Sequence, residues 1–466
     1  MMAIVSIVTD ADECLQHNGS AHSFILEALM IVTKFGGSSL ADASHFLMVR
    51  DILDMEPERR YIIVSAPGKR APHDQKITDL LLACHAQAAQ HLPYEPLFDQ
   101  VAERYQEIAR DLGQPDALQH DLDQVKETIG KGASRSFVAS RGEYLCARLF
   151  ALWMKLPFVD ATDLMVFDED GKLNQARTLR QVRAVLSDTF TAVIPGFYGA
   201  DSRGDIHTFS RGGSDVTGAL VAAALDADLY ENWTDVTGFR SADPRIIPDA
   251  SYISSLTYRE LRELSYMGAS VIHEEAVFPV RNAGIPTSIR NTINPHHPGT
   301  LIVPCLRQIG KLPAVTGIAG KRGFTTIILE KMNMNDEVGF GRKVLSVLET
   351  HRINFEHLPT GIDALCIMVN SESLNSKKAQ VLEEIESAVH PDAISIQEGI
   401  ALVACVGTGL FKLHGTIARL FTAVAEQGIT IRTMFQAPSE LSIIIGVDEQ
   451  HLETAIQAIY NAFIRE

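Results

Sequence analysis

Apolar residues along the chain gather in short runs separated by helical periodicities. From Met30 to about Pro304 the runs are Ile31-Val32-Thr33, Tyr61-Ile62-Ile63-Val64, Ala192-Val193-Ile194, Leu229-Tyr230 and Thr287-Ser288-Ile289. Strands alternating with helices predict an α/β sandwich. Several runs end in turns rich in Gly, Ser, Thr or Asp, where open α/β sheets bind their ligands. The stretch Asn294-Pro295-His296-His297-Pro298-Gly299 reads as a loop before a last strand at 301–303, placing a boundary near residues 305–313.

Beyond that boundary the pattern repeats at an offset of 76 residues without gaps: Gly339 matches Gly415, Ile353 matches Ile429, Leu365 matches Leu441 and Ile367 matches Ile443. Each copy reads as a strand (327–329; 402–406), a helix, a strand after Ile353 or Ile429, an alternating strand ending near Val369 or Ile445, and a helix (377–388; 451–463). That order predicts two ferredoxin-like βαββαβ units, with a period far too long for a solenoid. The expected division is therefore an extension at 1–29, a first domain at 30–304, and two small units at 305–395 and 396–466.

Composition narrows the partners. A chain of 466 residues exceeds one compact core. Its net charge of -17 argues against a binder of the nucleic-acid phosphate backbone and favours small-molecule ligands. No apolar run approaches a membrane span of roughly 18 residues, and residues 1–29 contain no Lys or Arg to serve a secretory or transit signal. The six cysteines, Cys14, Cys84, Cys146, Cys305, Cys366 and Cys405, form no Cys-x-x-Cys pair and fit a reducing cytoplasm.

Four segments carry candidate chemistry. Lys34-Phe35-Gly36-Gly37-Ser38-Ser39 joins a strand to a helical pattern. Its glycines let backbone N–H groups approach an anion beside a lysine, which suits phosphate, although it is neither a P-loop nor a dinucleotide fingerprint. Ser210-Arg211-Gly212-Gly213-Ser214-Asp215 opens an alanine-rich helix as an anion-binding nest, with a plain N-cap turn as the structural alternative. Trp233-Thr234-Asp235-Val236-Thr237-Gly238, with Asp243-Pro244-Arg245 beyond, reads alone as a polar loop. Ser140-Arg141-Gly142-Glu143 precedes an apolar helix at 144–153 and places a carboxylate in its first turn, where the helix dipole also favours it structurally. His273, His296 and His297 read as structural, since no third metal ligand is placed.

Together, in this order and spacing, these segments resemble the aspartate kinases of the amino-acid kinase superfamily, and the duplicated C-terminal unit resembles that family's paired ACT domains. The resemblance implies a three-layer sandwich with a mainly parallel sheet, and transfer of phosphate from ATP, with Mg²⁺, to the side-chain carboxylate of L-aspartate. By the same resemblance Lys34 neutralises the transferring phosphoryl group, Gly36, Gly37 and Ser38 contact the nucleotide, and Asp215 organises the site. Ser65, Thr78, Glu143, Arg211 and Ser214 fall at substrate positions, Glu143 facing the ammonium and Arg211 the α-carboxylate, a pairing that an Arg fork and a fixed anion make chemically sensible. Thr234, Asp235, Arg240 and Arg245 fall at nucleotide positions. Arg240 stands where many members carry tyrosine, and Ser270 where many carry lysine.

The first repeat adds a regulatory expectation. The loop 335–339, including Val338 and Gly339, leads into a helix where backbone could receive a carboxylate. Glu356 falls where the family has an acidic residue meeting the amine of an effector, with lysine expected before threonine. Its counterpart at the same offset is Arg432, so the two copies should differ in ligand binding. The second would mainly build a homodimer or higher homo-oligomer.

Overall fold

A computed structural model describes residues 29–465, except 211, 270, 271, 273, 306–312 and 437–438. All but the last residue of the expected extension 1–29 therefore lies outside the described residues. Contacts divide the chain into two compact units. The first spans residues up to 239, 252–261 and 270–310, and the second spans 240–251, 262–269 and 311–466.

The first unit holds β1 (Ile31–Phe35), β2 (Arg59–Val64), β3 (Ala192–Pro195), a small hairpin of β4 (Tyr198–Ala200) and β5 (Ile206–Thr208), then β6 (Leu229–Thr234), β7 (Ser255–Thr257), β8 (Thr287–Asn291) and β9 (Thr300–Val303). All five apolar runs read from the sequence, and the last strand expected at 301–303, are strands. The main sheet has the order β3-β2-β1-β6-β8-β9-β7 and is parallel from β3 to β8, with β9 reversed against β8. Strands β1, β2 and β6 are buried almost throughout, as sheets covered on both faces require. One face packs Phe35, Ile62 and Trp233 against helices that include Ala43–Met55, Glu95–Asp111 and Arg135–Met154. Helices Gln175–Leu186 and Gly213–Ala224 supply the remaining layer.

A buried charge cluster ties the central strands. Glu231 accepts from Arg59 Nε at 2.7 Å, Arg290 Nη1 at 3.3 Å and Trp233 Nε1 at 2.9 Å. Both guanidiniums also face the Trp233 ring, at 5.3 and 4.8 Å from its centroid. Removing one arginine would leave Glu231 buried with its charge under-compensated, the costly way to break such a cluster.

The second unit is built on one six-stranded antiparallel sheet of β10 (Gly317–Glu330), β11 (Phe355–His357), β12 (Ala364–Asn370), β13 (Ala393–Val406), β14 (Thr433–Gln436) and β15 (Ser442–Asp448), ordered β11-β12-β10-β13-β15-β14. The strands expected at 327–329 and 402–406 are the ends of two 14-residue strands. Register shifts between Lys321 and Thr326, near the left-handed Gly323, mark where β10 passes from one repeat to the other. Sequence reading stopped at such glycines, which interrupt the apolar runs. Residues 317–321 pair with 402–406 beside β15, while 324–330 pair with β12. The second βαββαβ unit therefore takes its last strand from chain that precedes the first, and position 395/396 falls inside β13. Separate apolar cores serve the halves, Ile327 to Ile385 in one and Ile318 to Tyr460 in the other, the latter including Ala242, Ile247 and Ala250.

Candidate active site

The end of β1 carries Lys34, opposite Asn232 in the β1/β6 register. Lys34 Nζ lies 2.6 Å from Asp215 Oδ1 and donates to Asn232 Oδ1 at 3.3 Å, while Asn232 Nδ2 donates to the same Asp215 oxygen at 2.9 Å. Asp215 stands in the first turn of helix Gly213–Ala224, whose N-cap, Gly212, is left-handed at φ 56°. The three groups fix a cation at the mouth of the sheet beside a helix N-terminus, an arrangement suited to polyanions.

The glycine turn after β1 is anchored by Gly36 N donating to Trp233 O at 2.9 Å. Gly37 then crosses the segment following β2, with Gly68 N donating to Gly37 O at 2.7 Å. A Cβ on Gly37 would lie 2.7 Å from Ala66 O, and one on Gly68 would lie 2.6 Å from Gly37 O, so this crossing requires glycine at both places. Arg104 clamps it from the next helix layer. Its Nη2 donates at 2.8 Å to both Ala41 O and Gly68 O, and its Nη1 meets Asp74 at 2.6 Å.

Glu143 is not in a first turn. Ser134 caps its helix by accepting from Phe137 N at 3.2 Å, so the helix begins at Arg135 and Glu143 lies well inside it. The Gly-Glu pair has a packing cause instead: a Cβ on Gly142 would sit 2.9 Å from Ala66 Cβ, where helix and post-β2 segment meet. Glu143 is 7% exposed, and its Oε2 has no hydrogen-bond partner among the described residues. Burial pushes its carboxyl up to about 7, with backbone hydrogen bonds and Arg141 offsetting only part of the cost.

Of the other expected substrate residues, Ser65 follows β2 with its N–H donating to Phe35 O at 3.2 Å, Thr78 lies in the first turn of helix Ile77–Ala89, and Ser214 packs against Gly196. Arg211, Ser270 and His273 lie outside the described residues. Ser38 lies in the short 3-10 turn Gly37–Leu40. Thr234 ends β6 and donates to Asp235 at 3.1 Å. Arg240 and Arg245 belong to the second compact unit, where Arg240 Nη1 donates to Ala250 O at 2.6 Å and Arg245 pairs with Asp243 at 2.6 Å. His297 Nδ1 accepts from Gly299 N at 3.0 Å, a structural turn contact. No group of three or more metal-ligating side chains occurs among the described residues. Likewise none of their helices is long and apolar enough to cross a membrane.

In the second unit Gly339, at φ 85°, caps helix Phe340–Thr350, and Val338 is 97% exposed. Glu356 on β11 accepts from the Tyr266 hydroxyl, which burial first and this carboxylate second push up to about 12. Arg432 instead pairs with Asp448 at 2.9 Å, so the repeats do differ at this position.

Residues 30–291 match the Amino acid kinase family, and residues 403–463 match an ACT domain. Aspartokinase 3 of Bacillus subtilis (strain 168) is 38% identical over 449 residues, covering 93% of this chain and 98% of that protein. This chain belongs to the aspartokinase family. The enzyme phosphorylates the side-chain carboxylate of L-aspartate with ATP, giving 4-phospho-L-aspartate, the first step of the aspartate-derived amino-acid pathway. Among solved structures, the aspartate kinase of Clostridium acetobutylicum, described as an allosteric enzyme, aligns with a TM-score of 0.87 at 45% identity, covering 93% of this chain and 100% of that one. E. coli aspartokinase III in complex with lysine and aspartate shares the fold, with a TM-score of 0.70 at 23% identity over 93% of this chain and 99% of that one.

Sequence reading missed Asn232, which braces Lys34 and Asp215, and Arg104, which braces the Gly37/Gly68 crossing. Asn232 had a signal: it is an amide inside a buried strand, one residue before the Trp-Thr-Asp segment. Arg104 sits in an ordinary amphipathic helix and carried none.

Proposed function

We propose that this aspartokinase performs transfer between two poles, a cationic one at Lys34 and an anionic one at Glu143. The observation that carries this is the Lys34–Asp215–Asn232 constellation beside the Gly37/Gly68 crossing, together with the unpartnered Oε2 of buried Glu143. Backbone groups of Gly36, Gly37 and Ser38 receive the phosphates of ATP. Thr234, Asp235, Arg240 and Arg245 serve the nucleotide. Glu143 takes the ammonium of aspartate, Arg211 its α-carboxylate, and Ser65, Thr78 and Ser214 the remaining polar contacts. Held this way, the side-chain carboxylate, ionised at neutral pH, attacks the γ-phosphorus directly. The bond to the β,γ-bridging oxygen breaks, ADP departs, and no protein nucleophile or general base is required. Lys34 neutralises charge on the transferring group, and Asp215 with Asn232 keeps its ammonium aimed.

The donor set fits a Mg²⁺ carried by ATP rather than caged by side chains, since Asp215 is the one carboxylate of the Lys34 constellation. Such an ion supplies further neutralisation of the phosphates. Regulation is assigned to an amino-acid effector, lysine, received at Val338 and Gly339 with its side-chain amine on Glu356, displacing the Tyr266 hydroxyl. Edge strands β11 and β14, with Phe355 and Met434 about half exposed, offer surfaces for a homodimer. The cytoplasm is the proposed compartment. Trapping acyl phosphate as hydroxamate, with aspartate, glutamate and acetylglutamate offered separately, tests the substrate assignment. Preference for either competitor would overturn it.

A further inference from the structure

Arg141 is 6% exposed, yet among the described residues no carboxylate stands within ion-pair distance of it. Its guanidinium carbon lies 4.5 Å from the ring centroids of Phe137 and Tyr144 and 5.2 Å from that of Tyr198. Nε and Nη2 both donate to a single acceptor, Ser140 Oγ, at 3.2 and 3.0 Å, and Nη1 has no hydrogen bond to a described residue. Three rings replace only part of the hydration a guanidinium loses on burial. A buried cation in this state implies an anion that arrives from outside.

The fold restricts which anion. Arg141 lies in the same helix as Glu143, and residues two apart on a helix diverge, so the two charges remain separate poles. Tyr198 opens β4, two residues after Gly196, where an added Cβ would lie 2.5 Å from Ser214 Oγ. Through Tyr198 the Arg141 side of the Glu143 helix thus faces the strand that follows the turn packed on Ser214. Charge balance agrees: bound aspartate brings two carboxylates and one ammonium, and Glu143 adds a third carboxylate, so one guanidinium from Arg211 leaves one negative charge uncompensated.

We propose that Arg141 is a second guanidinium of the aspartate subsite, pairing through its open nitrogen with the α-carboxylate of the bound amino acid. This rests on the reading of Glu143 as the ammonium pole, and the test separates the two. Arg141→Met keeps an apolar stem among the rings. It is expected to raise KM for aspartate about 10- to 150-fold, the range for a lost charged hydrogen bond, with KM for ATP within about twofold and an unchanged melting temperature. Arg141→Lys, which keeps a cation but not the fork, should fall between parent and Met variant and covers the case in which the Met variant does not fold. Two competitive inhibitors assign the poles: succinate lacks the amine, and β-alanine lacks the α-carboxylate. Arg141→Met should weaken succinate and spare β-alanine, and Glu143→Gln should do the reverse. A KM for aspartate within about twofold of the parent in both Arg141 variants, or parallel loss of aspartate and ATP affinity, overturns the proposal. Equal weakening of both inhibitors by Arg141→Met also overturns it, whereas Glu143→Gln leaving β-alanine unaffected removes the ammonium pole alone.

Discussion

Glu143→Gln tests the anionic pole, because burial and function pull this residue in opposite directions. Burial raises the carboxyl from 4.5 to about 7. At about 1.4 kcal/mol per tenfold change in acidity, ionising it inside the empty enzyme costs on the order of 3 kcal/mol more than in the unfolded chain. Since the folded state holds this proton more tightly, its contribution to stability is full below about 4.5 and is lost as pH rises through about 7. The empty Gln variant should therefore melt close to the parent at acidic pH, and above it at pH 8 by up to about 3 kcal/mol of stability. Catalysis should move the other way. The ammonium of aspartate binds the ionised carboxylate, so parental kcat/KM for aspartate should fall about tenfold per pH unit below 7 and level off above it. The Gln variant should lack that limb, with KM for aspartate at pH 8 raised about 10- to 150-fold and KM for ATP little changed. Initial rates from pH 5.5 to 9, with thermal melts over the same range, read both effects. A variant that keeps the limb near pH 7, or a parental affinity for aspartate, would refute the reasoning.

Replacing Lys34 with Met removes a preorganised cation and should lower kcat roughly 100- to 1000-fold with a smaller effect on substrate binding; Asn232→Leu, which only loosens that cation, should cost less, and steady-state kinetics that reverse this order would count against the constellation. Gly142→Ala forces a Cβ to 2.9 Å from that of Ala66 and should destabilise the first unit by about 1 to 3 kcal/mol, measured by urea unfolding. Lysine should weaken turnover or aspartate affinity by about 5- to 150-fold, and Glu356→Ala should abolish this while leaving uninhibited turnover intact; calorimetry without lysine binding to the parent would remove the proposed effector site.

The main sheet was legible because its strands are buried on both faces and read as uninterrupted β-branched runs between glycine turns, as at Tyr61 to Val64. Lys34 and Asp215 were singled out because each stands beside paired glycines, at a strand end and at a helix start, where backbone can receive an anion. Glu143 was singled out on a local reading that the structure overturns. A glycine followed by an acid resembles a helix start, and nothing nearby in sequence reveals that Gly142 is small because Ala66, far back in the chain, touches it. Asn232 and Arg104 depend on pairing between distant segments, which periodicity does not encode. The repeat was visible at its fixed offset, but the sharing of β10 and β13 was hidden because an antiparallel partner leaves no mark on the order of elements.

That sharing limits how the regulatory unit can be engineered. Strand β10 serves the second repeat with its first residues and the first repeat with its last, while β13 does the converse. A deletion placed at the sequence repeat would split β13 and leave the second repeat's sheet without its proper boundary. Excising either copy would likewise strip the survivor of a strand and expose backbone N–H and C=O groups along a new edge, an invitation to aggregation. Variants freed from feedback are therefore better sought by point substitution on the loops and helix ends than by trimming, and chimaeras with other regulatory modules should exchange 317–465 together with 262–269 and with 240–251, which supplies Ala242, Ile247 and Ala250 to its core.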